Sequence, residues 1–167
     1  VELSIETTDP VNDYIRQGSR TQDVIKVIEQ WVEHRSENFN IILRPTPSIL
    51  SVSRYKSLLD FAYKHRLIVM SVILSDPGYL RISLLPKQYR LSIIKELRQW
   101  SDNITVDTNE EVGNRDATMW QAQLKQECEG IINCLEQEHK PGNEKELITW
   151  LQRWDNEYKL NVLDYLP

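Results

Sequence analysis

Residues 1–20, VELSIETTDPVNDYIRQGSR, decide how the rest of the chain is read. Residues 1–6 have the character of a β-strand interior, and the turn-rich run 7–18 leads from them toward a helix. That helix is expected over about 21–35, because Val24, Ile25, Ile28, Trp31 and Val32 share one face of a 3.6-residue period. Ser19 and Gln22 stand at capping-box spacing before it. A second strand, FNIILR at 39–44, meets Pro45 and Pro47, which forbid helix and remove ladder donors. A second helix over about 53–65 turns Tyr55, Leu58, Leu59 and Ala62 inward, and a third strand, RLIVMSVIL at 66–74, is apolar without alternation. Such a run suits a strand covered on both faces. Strand, helix, strand, helix, strand predicts βαβ units around a parallel sheet with right-handed crossovers.

Downstream the character changes. After a short extended segment at 79–86, helices are expected at about 87–101, 116–139 and 144–158, separated by DTNEEVGNRD (107–116) and HKPGN (139–143). Trp120, Leu124, Cys128, Ile131 and Leu135 form one apolar stripe, and Leu147, Trp150, Leu151, Trp154 and Tyr158 another. Both predict core. The chain thus divides into an α/β part, 1–86, and a helical part, 87–167. An apolar parallel strand at an open edge is normally covered, so earlier strands are expected before Val1.

Composition narrows the function. A net charge of −5 with scattered Lys and Arg gives no basic face for nucleic acid. The longest apolar runs are too short to span a bilayer. Cys128 and Cys134 lie six residues apart on an expected helix, about 9 Å of rise, beyond the roughly 7 Å that a disulfide tolerates between Cα atoms. Their spacing is not that of a zinc site, and His34, His65 and His139 are distant in sequence. The cytoplasm is the default compartment for such a chain. No GxGxxG, P-loop, HExxH or GxSxG occurs. Any chemistry must come with a cofactor.

Ligands of parallel α/β structures bind at the carboxyl ends of strands. That rule selects Glu6, Thr7, Thr8, Asp9 and Arg16 after the first strand, Arg44, Thr46 and Ser48 after the second, and Ser75, Asp76 and Gly78 after the third. Such a set suits a polar ligand carrying a carboxylate, which Arg binds bidentately. Each has a plainer reading: Arg16 pairing with Asp13 or Glu6, Thr7 and Asp9 as turn formers, Arg44 as a solvated strand end.

LSIETTDPVNDYIRQGSRTQDVIKVIEQW (3–31) resembles the middle of the radical S-adenosylmethionine (radical SAM) superfamily, in the type with a truncated "twitch" extension. Members there carry a strand ending Ser-Ile-Asp, then Glu-Tyr-Ile-Arg-x-Gly and a helix. IILRPTPSILSVSRYKSLLDF (41–61) is similar to the following strand and loop, ILSDPGYLRISLLP (73–86) to a Pro-Tyr-Leu segment closing on Leu-Pro, and LITWLQRWDNEYKLNVLDYLP (147–167) to the family's end. The resemblance covers most of the chain.

It implies an α/β fold: the last three parallel βα units of a partial (β/α)6 barrel, followed by a mainly helical C-terminal extension. It implies SAM as cofactor and a [4Fe-4S] cluster that generates the 5′-deoxyadenosyl radical, held by a CxxxCxxC loop that this chain lacks. By position, Ser4 and Glu6 would lie near the SAM ribose and methionine part, although the family more often has Asp where Glu6 stands. Arg16 would meet the SAM carboxylate, Thr46 and Ser48 would line the same pocket, and backbone at Leu74 and Ser75 would face the adenine. No metal ligand is expected in this chain. The substrate would be a small molecule or a peptide, with neither nucleic acid nor membrane as partner. The alternatives are a non-catalytic α/β interaction module and a degenerate barrel fragment.

Overall fold

The structure, a computed structural model, describes residues 1–36, 39–105, 111–112, 115–137 and 143–166. Three strands form at the three expected places: β1 (Glu2–Leu3), β2 (Ile42–Leu43) and β3 (Ile68–Val69). They pair in parallel in the order β1-β2-β3, with Glu2 opposite Ile42 and Ile42 opposite Ile68. The pairing reaches a little past the strand ends, through Arg44 N–H to Leu3 O at 2.7 Å and Val72 N–H to Pro45 O at 2.9 Å. Pro45 offers no N–H of its own, and the ladder ends beside it.

Among the described residues there are six helices: α1 (Val11–Ile15), α2 (Thr21–Glu33), α3 (Tyr55–His65), α4 (Lys87–Asn103), α5 (Ala117–Glu136) and α6 (Glu144–Tyr158). A two-residue antiparallel pair, β4 (Glu111–Val112) with β5 (Arg115–Asp116), lies inside the stretch expected to be a polar separator. The expected end of the fifth helix at 139, with His139, falls outside the described residues.

The fold is mostly helical with one small parallel sheet, which overturns the expectation of three βα units from a (β/α)6 barrel. Parallel pairing is confined to three two-residue strands, and helices make up most of the described residues. At the outer edge of β3, α5 lies along the sheet: Trp120 Nε1 donates to Leu67 O at 2.8 Å, Gln123 Nε2 donates to Val69 O, and Glu127 Oε2 accepts from Ser71 N–H at 2.9 Å. Spacings of three and four residues put these side chains on one helix face. They satisfy the strand's outward backbone groups, and the edge offers no template for pairing.

Two local expectations also change. Residues 79–86 form two 3-10 turns, Gly78–Leu80 and Ile82–Leu84, instead of an extended segment. The entry to α2 is not capped by Ser19 and Gln22. Its first backbone N–H, at Thr21, and the Thr21 hydroxyl both donate to Asp13 Oδ1.

The core runs without a break from the first part of the chain into the second. Ile5, Ile28, Leu43, Val69 and the inward face of α3 join Leu97, Trp120, Leu124, Cys128, Ile131 and Leu135 in one cluster. The expected stripes of α3 and α5 are buried throughout. That of α6 is not. This helix buries no residue completely, and its Trp150 and Trp154 rings stack at 5.0 Å in a half-exposed row.

Candidate functional site

Strand alternation divides the sheet into two unlike faces. Leu3, Ile5, Leu43 and Val69 point into the core. Glu2, Ser4, Ile42, Arg44, Ile68, Met70 and Val72 alternate with them: Ile68 is also buried in the core and Ile42 packs against it, whereas Ser4 is exposed, Met70 is 39% exposed and Val72 50%. Arg44 Nε stands 3.6 Å from Glu2 Oε2 there. Arg44 is thus half-buried and paired, not a free strand end.

Where β1 and β2 leave the sheet, the side chains become polar and buried. Glu6 is 4% exposed, and both of its carboxylate oxygens are engaged. Oε1 accepts from Arg16 Nη2 and Oε2 accepts from Thr46 N–H. The Glu6 N–H donates to Asn12 Oδ1 at 2.9 Å, and Asn12 Nδ2 donates to Thr21 Oγ1 at 3.2 Å. With Asp13 on Thr21, one network links the exit loops of β1 and β2 to α1 and the start of α2. A carboxylate this buried requires such partners.

Arg16 differs from the other members. Its side chain is 36% exposed, while its Nε is buried and has no hydrogen-bond partner among the described residues. A buried donor left unpaired is costly in a folded chain and marks a place where a ligand acceptor would be stabilising.

Thr7 and Asp9 serve a neighbouring clasp. Thr7 Oγ1 lies 3.0 Å from Ser57 Oγ, and Ser57 donates to Asp9 Oδ2 at 2.5 Å, tying the first loop to the opening turn of α3. Ser48 is buried in its own turn, with its N–H on Ser51 Oγ at 3.0 Å. Leu74 and Ser75 stand apart from the Glu6 network. They line a cleft of about 550 Å³ together with Arg81, Cys134, Gln137 and Asn143. Arg81 Nε donates to Ser75 O at 2.6 Å across its rim.

The site assigned from sequence therefore falls in two places: Glu6, Arg16 and Thr46 meet, while Leu74 and Ser75 border the cleft. Sequence reasoning missed Asn12, Ser57 and Arg81, and weighed Asp13 only as a partner of Arg16, where it holds Thr21 instead. Asn12 and Asp13 carry the one usable signal, because Asn and Asp just after a proline favour caps and turns.

The C-terminal helix closes over the same region. Tyr14 donates to Asp155 Oδ1 at 2.9 Å, Trp154 Nε1 donates to Tyr14 O at 3.1 Å, and the Tyr14 and Tyr165 rings lie 5.3 Å apart. Burial first, and the Asp155 carboxylate second, push the Tyr14 hydroxyl well above its ordinary pKa, so it stays a donor.

The donor set does not fit a [4Fe-4S] cluster. Among the described residues no three His, Cys, Asp or Glu side chains are grouped to hold a metal. Cys128 is buried on α5, its thiol pushed up to about 12 by burial, and Cys134 is half-buried with its thiol also raised by burial. Thiols in such surroundings are inert. Iodoacetamide at about pH 8 is expected to spare Cys128 in the folded chain and to modify both thiols in urea. Rapid native labelling of Cys128 would contradict its burial.

Among the described residues no helix is long and apolar enough to cross a membrane. No family model matches the sequence, and neither a curated protein nor a solved structure was found to match it.

Proposed function

We propose that this chain supplies the SAM contacts of a radical SAM enzyme, with the [4Fe-4S] cluster held by residues outside it. The observation that carries this reading is Arg16: half-exposed, anchored through one nitrogen on buried Glu6, and left with an unpaired buried Nε. SAM's amino-acid part ends in a carboxylate that suits such a guanidinium. When bound, cluster and SAM supply the 5′-deoxyadenosyl radical.

This chain's own residues bind and orient. Arg16 takes the carboxylate and the Thr46 loop is held beside it by Glu6. Backbone at Leu74 and Ser75, assigned to the adenine by the resemblance, borders the separate cleft, where Arg81 holds the Ser75 carbonyl. Ser48 shapes the turn behind Thr46. Further support comes from the way separate parts of the resemblance pack together. Tyr14 of NDYIRQG meets Trp154, Asp155 and Tyr165 of the C-terminal segment. A cytoplasmic setting and a small-molecule or peptide substrate, rather than nucleic acid, complete this reading.

Calorimetric titration of SAM into the protein, expressed with whatever precedes Val1 in its reading frame, tests this. Arg16→Ala is expected to raise Kd by about 10- to 100-fold, the worth of a hydrogen bond to a charged group. Unchanged affinity would remove the assigned role.

A second reading, a non-catalytic interaction module, is favoured by one observation. Met70 and Val72 are exposed side by side on the open sheet face. Replacing both with Ser would then abolish partner binding and leave SAM affinity untouched.

A further inference from the structure

Glu6 stands at the position where a ligand contact is expected, yet nothing in its geometry leaves it available. Both oxygens are occupied, one by Arg16 and one by the Thr46 N–H, and the residue is 4% exposed. Its backbone N–H is held by Asn12, which is itself 1% exposed and bound to Thr21. With Glu6 only 4% exposed, a ligand amine or hydroxyl could reach its remaining lone pairs only by opening this buried network, at a loss.

Arg16 presents the opposite picture. It has a long, rotamer-rich side chain that is 36% exposed, and one of its terminal nitrogens is fixed by Glu6. An unrestrained arginine loses rotamer freedom when it captures an anion, and one held in place has already lost it. Its planar fork, once one nitrogen is fixed, has its remaining donors fixed in direction too.

We propose, on the premise that SAM is the ligand, that Glu6 is a positioning residue: it aims Arg16 at the ligand's carboxylate and holds the Thr46 loop in register, and it touches no ligand atom itself. The site then discriminates for the aminocarboxypropyl end of the ligand through one carboxylate–guanidinium–carboxylate line. Glu6 and Arg16 act as a single unit.

Coupling measurements on two ligands test this in the same full-frame protein. SAM carries the carboxylate, and 5′-methylthioadenosine lacks the whole amino-acid part. Glu6→Gln and Arg16→Ala are each expected to weaken SAM by about 10- to 100-fold and to change 5′-methylthioadenosine affinity less than about twofold. The double variant is expected to bind SAM no more than about twofold worse than the weaker single variant. A double variant whose loss is the product of the two single losses would overturn the proposal, because Glu6 would then be an independent contact. Equal loss of both ligands in Glu6→Gln would overturn it as well.

Glu6→Asp keeps the charge, shortens the reach by one methylene, and covers the case in which Glu6→Gln fails to fold. It is expected to lose SAM selectively, and parental SAM affinity would refute the role. A parent protein that binds 5′-methylthioadenosine as tightly as SAM, or neither, would overturn the SAM reading and this inference with it. Additive losses in a SAM-binding parent would overturn the inference only.

Discussion

Trp120→Ala is expected to destabilise the chain by about 3–5 kcal/mol, the range for emptying a buried large aromatic. Trp120 is 1% exposed and stacks on Tyr63 with ring centroids 5.8 Å apart and planes at 13°. Its loss removes that volume from the middle of the one shared core. It also removes the Nε1 bond to Leu67 O, leaving a buried carbonyl at the edge of β3 without that donor. Trp120→Phe separates the effects in part: it keeps a six-membered ring in the core and loses the N–H with part of the indole volume, at about 1–3 kcal/mol. Urea unfolding followed by far-UV circular dichroism measures both. A loss below about 1 kcal/mol for the alanine variant would mean that α5 does not anchor the sheet. At about 2–4 °C per kcal/mol for a chain of this size, the alanine variant's Tm should fall by about 6–20 °C.

The same residue shows where sequence reading reaches its limit. Its burial was legible, because Trp120, Leu124, Cys128, Ile131 and Leu135 repeat on one helical face. The inward face of α3 was legible for the same reason. What the helix packs against was not. Gln123 and Glu127 sit among charged neighbours and look like solvent-facing positions, yet they bond the outer edge of a strand more than fifty residues earlier. Periodicity reports which side of an element is apolar and is silent on what covers a sheet edge. The third strand read as the last of a barrel, and the helix that lies along its outer edge was not foreseen. The converse error occurred on α6, where Trp150 and Trp154 gave a core-like stripe that nothing buries completely.

The candidate site was legible in outline because strand ends concentrate ligands in parallel sheets. Glu6 and Arg16 were selected on that ground, and their ion pair is the plainer of the two readings weighed for Arg16. Their division of labour was not legible. A carboxylate and a guanidinium ten residues apart can both face a ligand, or one can hold the other, and only burial decides. Asn12 was passed over, and Asp13 weighed only as a partner of Arg16, because a polar pair behind a proline has an ordinary local use. Here each reaches beyond its own turn, Asn12 to Glu6 and Asp13 to Thr21. Ser19 and Gln22 had the right spacing for a cap and lost that place to a carboxylate from the preceding helix.

Arg90→Ala is expected to cost about 2–4 kcal/mol, far more than an exposed arginine of the same helix. Arg90 is 9% exposed near the start of α4 and spends its guanidinium on carbonyls: Leu85 O at 3.0 Å, Gln137 O at 2.7 Å, and Leu135 O. Two of these belong to the last turn of α5 or the residue just past it, where helix carbonyls lack intrahelical donors and a cation is favoured. Arg98 reaches the same end of α5, but it does so in water, pairing with Glu136 at 2.6 Å while 55% exposed. Arg98→Ala should therefore lose no more than about 1 kcal/mol, and that loss should shrink in 1 M salt. Arg90→Ala should be nearly insensitive to salt, because its partners are buried dipoles. Arg90→Met separates packing from polarity, since it restores much of the volume and none of the donors. It should recover less than half of the alanine variant's loss. Arg90→Lys, a point donor without the planar fork, should recover part of the loss but not all of it. The consequence extends to the cleft, because Cys134 and Gln137 on its wall flank the carbonyl that Arg90 holds. If chemical unfolding showed Arg90→Ala and Arg98→Ala to be equal, the last turn of α5 would be held by packing alone, and that wall of the cleft would stand without its buried arginine.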